Sequence, residues 1–184
     1  MLDCIFALTL SYLSFDDLFK ILKSEIKYHG IIKKFFNFEF VVECPESICN
    51  DDLKLLYGVH TISLSHCDKI TDDGLKYLTG VHTINLYDCN ITDDGLKYLT
   101  GVHTIDLSSS EITDDGLKYL TGVHTINLSY SKITNDGLKY FTGVHTINLS
   151  YSEITDDGLK YLTGVSKIFH YGCDKIKLHR MTNI

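Results

Sequence analysis

Five histidines, His60, His82, His103, His124 and His145, recur at one position of a repeated segment. Neighbouring strands of a parallel sheet would set them about 4.8 Å apart. Imidazoles in such a row could bind a metal ion or respond to acid pH. Against a metal, their neighbours Thr83 and Thr104 are poor ligands, and mutual repulsion opposes charging all five rings. Thiols are the second source of chemistry. Cys67, Cys89 and Cys173 share a repeat position with Ser110, Ser131 and Ser152, which ties them to the repeat. Cys44 and Cys49 form one ligand pair without a second, so no zinc site is expected. The aspartate pairs at 72–73, 93–94, 114–115 and 156–157 read as helix caps, and they lack the spacing of a calcium loop. No G-x-S-x-G, no glycine-rich phosphate loop and no Cys/His pair stands outside the repeat. The expectation is a chain with no catalytic residue, no metal and no cofactor, and therefore not an enzyme.

The elements that carry these residues follow from one period. Thr-Asp-Asp-Gly begins at Thr71, Thr92, Thr113 and Thr155, with Asn135 replacing the first Asp in the copy at Thr134, always 21 residues on. Within each copy runs Val-x-x-Ile-x-Leu-x-x-(Cys/Ser)-x-Ile, as in Val102, Ile105, Leu107, Ser110 and Ile112. Ile-x-Leu alternation predicts a short strand with one buried face. Thr or Asp ahead of Gly-Leu-Lys-Tyr-Leu predicts a capped helical turn. One such coil cannot bury its own apolar residues. Stacked coils share a core and align their strands in parallel. Seven strand positions are expected, centred near 39, 63, 85, 106, 127, 148 and 169. The first is assigned to Phe35-x-x-Phe38-x-Phe40 and the last to Val165-x-x-Ile168-x-His170.

This pattern resembles the leucine-rich repeat family, whose signature is L-x-x-L-x-L-x-x-N/C-x-L. The run from Cys67 to Leu75 is similar to the cysteine-containing subclass. The resemblance covers about residues 35–176. It implies an α/β fold: a leucine-rich repeat solenoid with a curved parallel β-sheet on the concave face and short helices and turns on the convex face. It also implies that Cys67, Cys89, Cys173 and the matching serines are buried and hydrogen-bond a turn. Residues 35–184 are assigned to this solenoid, as about seven coils including degenerate terminal ones. Residues 1–34 are assigned to an N-terminal helical cap. The middle copies lose one residue between Cys/Ser and Ile, and three carry Ser for Cys.

In the cap, Ser14-Phe15-Asp16-Asp17 is a capping box that opens a helix with Leu18, Ile21, Leu22 and Ile26 on one face. LTLSYLSFDDLFKIL resembles the core of an F-box, with Leu2 where Pro is expected, Cys4 where Glu is expected, and no Trp in the chain. That resemblance implies a Skp1-like adaptor docked on Ile5, Leu10, Leu13 and Leu18, with the repeats presenting a target to a ubiquitin ligase. The near-identical copies resemble repeat families of giant DNA viruses of amoebae, which implies the cytoplasm of an infected host cell.

The differences between copies cluster after the strand. Asn85, Asp106, Asn127, Asn148 and Phe169 form one concave column. Tyr87, Ser108 and Tyr171 belong to the next, and Asp88, Tyr130 and Tyr151 to a third. Variation on one face of a constant scaffold predicts a protein partner there, and Tyr and Asn suit protein contacts. The net charge of −7 over 184 residues argues against nucleic acid, and no apolar run spans a bilayer. The last coil has little to cover it. Its edge is expected to pair with another molecule or to lie under the tail KIKLHRMTNI.

Overall fold

A computed structural model describes residues 15–24, 41–43 and 47–177. Among these residues lie seven strands of three residues each: β1 (Val41–Glu43), β2 (Thr61–Ser63), β3 (Thr83–Asn85), β4 (Thr104–Asp106), β5 (Thr125–Asn127), β6 (Thr146–Asn148) and β7 (Lys167–Phe169). They pair in parallel in chain order, with Ile62, Ile84, Ile105, Ile126, Ile147 and Ile168 in register. The fold is the solenoid that the period predicts.

The first strand is displaced from its expected place. Val42, not Phe38, pairs with Ile62, and residues 35–40 lie outside the described residues. The β-branched pair Val41-Val42 suits a strand, and it stands 20 residues before Ile62, close to the period of the array.

A middle coil buries six apolar side chains. In the fourth coil these are Val102, Ile105, Leu107, Ile112, Leu117 and Leu120, all at most 3% exposed. The helical turn is split: Asp114–Leu117 is α-helical and Lys118–Leu120 tightens to 3-10 geometry. A glycine at φ +88, Gly122, then reverses the chain toward the next strand, a conformation open to it because it has no Cβ.

The aspartate pairs divide their labour in a way the sequence does not reveal. Asp93 reaches across to the next coil, where Oδ1 accepts from the Thr113 N–H at 2.9 Å and Oδ2 from the Thr113 hydroxyl at 2.5 Å. Asp72 does the same for Thr92, and Asp114 for Thr134. Thr113 in turn accepts from the Asp115 N–H and caps its own helix. Glycine follows because the carboxylate needs the space: a Cβ on Gly116 would lie 2.4 Å from Asp93 Oδ1. In the first coil, Cys49-Asn50-Asp51-Asp52 takes the place of Thr-Asp-Asp-Gly, and Asn50 bonds Thr71. Asp52 therefore stands in the glycine slot, where no further coil lies beneath it among the described residues.

The helix Phe15–Ser24 fills that end. Phe19 is 6% exposed within the core, Ile21 packs partly buried against it, and Lys23 Nζ meets Asp52 at 2.7 Å. Burial raises the Asp52 pKa, but Lys23 and the Cys49 N–H and thiol outweigh it and hold it below the usual carboxylate value. Ile5, Leu10, Leu13 and Ile26 lie outside the described residues, as does the tail from 178 on. Leu18 lies within the helix. Among the described residues no helix is long and apolar enough to cross a membrane.

Candidate functional site: the concave face and its two rims

Alternation along each strand sends the isoleucine inward and its two neighbours outward. The concave face is therefore an open hollow of about 560 Å³ with two parallel columns. One is the expected Asn/Asp column, with Phe169 at its end. The other is a ladder of half-exposed threonines, Thr61, Thr83, Thr104, Thr125 and Thr146, which sequence reasoning missed. The signal was available, since in Thr-Ile-Asn the residue before Ile shares a face with the one after it.

The Asn/Asp column also shapes the fold. Asn85, Asn127 and Asn148 each accept, through Oδ1, the backbone N–H two residues on, which turns the chain out of the strand. Asp106 does so toward Ser108 and also takes the Asn127 amide at 2.9 Å. Ser108 does not belong to the exposed surface. It is 5% exposed, and its hydroxyl donates to Asp106, as small polar residues here close the turn inward. Ser129 and Ser150 are buried with it.

The third column forms the rim where the chain leaves the strand, and it is left-handed throughout: His66, Asp88, Ser109, Tyr130 and Tyr151 have φ of 53–59°. At the amino-terminal end this rim is polar, with His66 bonded to Asp88 at 3.1 Å and edge-on to Tyr87. At the other end it is aromatic. Tyr130 and Tyr151 stack at 4.4 Å, and Tyr171 meets Tyr151 edge-on at 5.5 Å. Tyr130, Tyr151, Phe169 and Tyr171 are 44–75% exposed. Gly172 lets Tyr151 lie close, since a Cβ there would sit 2.6 Å from the ring.

The histidine column forms the opposite rim. Ring centroids are 4.4–4.6 Å apart, and the last two pairs are within 12° of parallel. The in-plane lone pairs of parallel rings never converge, so no two stacked histidines aim at a common ion. Among the described residues no group of three or more potential ligands could hold a metal. Partial desolvation, then the neighbours His82 and His124, lower the His103 pKa.

Cys89 donates to the Leu64 carbonyl of the preceding coil, and Ser110 to the Leu107 carbonyl of its own. Burial pushes the Cys89 pKa up to about 11, so the thiol stays protonated and serves the turn.

A family model described as leucine rich repeat matches residues 59–78, 81–99, 102–120 and 144–162. It omits the copy with Asn135 and Phe141, where the α-helical turn gives way to a 3-10 run, Asn135–Tyr140. Among solved structures, an internalin C2 from Listeria monocytogenes is 16% identical with a TM-score of 0.57, over 88% of this chain and 84% of its own. The structure of a pollen receptor kinase 3 is 15% identical with a TM-score of 0.50, over 78% of this chain and 76% of its own. No curated protein sequence matches the chain. At these identities the likeness concerns the fold alone.

Proposed function

We propose that this chain, whose residues 59–78, 81–99, 102–120 and 144–162 match a leucine rich repeat model, is a protein–protein interaction module whose grip is the aromatic end of the concave face. One observation carries this. Tyr130 and Tyr151 occupy left-handed positions that the other coils give to His, Asp, Ser or Gly. A bulky residue held there costs about 1 kcal/mol, and the scaffold does not need it. Exposed, pre-stacked tyrosines beside Phe169 supply apolar area with little entropy left to lose, which is how interface anchors work.

Asn at both positions should leave folding intact or slightly favoured, because Asn tolerates left-handed backbone. The Tyr130→Asn/Tyr151→Asn variant, used as bait beside the parent chain, should lose its specifically captured partner about tenfold or more, since such anchors are worth about 2 kcal/mol each. A variant that captures the same proteins in the same yield would end this reading.

The finer proposal is that the module selects targets for an SCF-type ubiquitin ligase, with a Skp1-like adaptor on Ile5, Leu10, Leu13 and Leu18, in the cytoplasm of a host cell. The F-box resemblance supports it. So does the helix Phe15–Ser24, which is tied to the first coil by Phe19 and the Lys23–Asp52 pair and would transmit a fixed orientation. The alternative is a stand-alone repeat binder. A pulldown with a Skp1-like adaptor separates them: binding lost on Leu10→Ala/Leu13→Ala supports the ligase role, and no binding by the parent chain favours the stand-alone binder.

A further inference from the structure

The histidine rim is distinct from the aromatic rim and has its own chemistry. Four of its five rings are exposed and His82 is half-buried. In His60, His103, His124 and His145, Nδ1 lies 3.1–3.4 Å from the hydroxyl of the following threonine. Nε2 is then the polar atom left for an outside partner. No carboxylate pairs with any of the five among the described residues, and the only charges that shift His103 are its two histidine neighbours. The charged residues of the strands themselves are Glu43 at the end of the first, Asp106, already held by Ser108 and Asn127, and Lys167, which takes the threonine slot of the last coil. In that coil Ser166 takes the histidine slot and bonds the His145 carbonyl, so the row ends at His145.

Such a row is electrically incomplete. Each added proton meets imidazolium neighbours 4.4–4.6 Å away, and no carboxylate among the described residues pairs with the rings. A ligand that supplies a line of negative charges relieves the repulsion and draws protons onto the rings. We propose that the histidine rim is a docking ridge for an acidic polypeptide segment, engaged on mild acidification and released near neutral pH. Five rings at this spacing match about five or six extended residues at ~3.3 Å each. A short segment is favoured over a nucleic acid because the net charge of −7 repels a long phosphate chain wherever it overruns the ridge. Protonation sets the sign. An imidazole carries charge only when protonated, and binding an acidic segment takes up protons, so affinity must rise as pH falls.

The test is fluorescence anisotropy of a dye-labelled hexaglutamate peptide with the full chain at about pH 7.5 and about pH 6. Affinity should rise about tenfold or more at the lower pH, corresponding to a mean net uptake of about 0.7 proton or more across this interval, and should weaken with salt. The His82→Gln/His103→Gln/His124→Gln variant should lose the rise while keeping its circular dichroism spectrum. Single-site His103→Gln should lose part of it. In the parent chain, NMR titration should show the ring pKa values moving up when peptide is added. The proposal is overturned if affinity is flat with pH, if the rise persists in the triple variant, if the ring pKa values stay put, or if an oligothymidylate of equal charge binds as tightly. Peptide binding is read separately from partner capture, so either surface can fail without the other.

Discussion

Gly116→Ala should destabilise the solenoid by about 1–3 kcal/mol, although alanine is the better helix former by about 1 kcal/mol. The methyl would arrive 2.4 Å from Asp93 Oδ1 and 2.9 Å from Asp93 Cγ. That carboxylate cannot move aside freely, because it accepts both the N–H and the hydroxyl of Thr113. Leu96 Cδ1, at 3.0 Å, is the end of a flexible side chain and can give way. The steric term therefore acts through one group, and a double-mutant cycle isolates it. Asp93→Ala alone should cost about 1–2 kcal/mol in lost hydrogen bonds. In that background Gly116→Ala should become neutral or favourable. Urea unfolding of the four proteins measures the coupling. Equal losses from Gly116→Ala with and without Asp93 would refute the across-coil clamp.

The second large effect lies in the core. Leu107 is fully buried in the fourth coil, and Leu107→Ala should cost about 2–5 kcal/mol through lost transfer energy and the cavity left behind. Position matters as much as chemistry in a linear array, because each coil contacts only its neighbours. A lesion in the middle weakens two interfaces at once. Hydrogen exchange should quicken in the coils on both sides of Leu107, while the same change at Leu162, just after the helical turn Asp156–Leu159, should loosen mainly the coils nearest β7. A loss under about 1 kcal/mol at Leu107, or exchange confined to one coil, would contradict a continuous shared core.

Much of the molecule is legible in one dimension because the repeat states its own boundary conditions. The 21-residue spacing, the Ile-x-Leu alternation and the capped glycine turn all describe events within one coil, and local geometry decides those. The buried Cys/Ser column and the evenly spaced histidines follow from the same logic once copies are superposed. The readings that needed correction depend on contacts between coils. Phe38 lost the first strand to Val42 because pairing with Ile62, not aromatic content, sets the register. Phe19 escaped a helical-face reading because it is the end of the solenoid that chooses which side chain to bury.

The sequence by itself determined the period, the parallel stacking, the strand and turn segments and the column to which each variable residue belongs, since all of these follow from short-range alternation repeated at one interval. Only the tertiary structure decided that Ser108 is buried while threonines share the hollow, that Asp93 clamps the next coil, and that His103, His124 and His145 stack near parallel with no carboxylate paired to them among the described residues. The physical reason is that burial, across-coil hydrogen bonding and ring orientation are properties of pairs of coils about one strand spacing apart, and a linear repeat specifies each coil without stating what faces it.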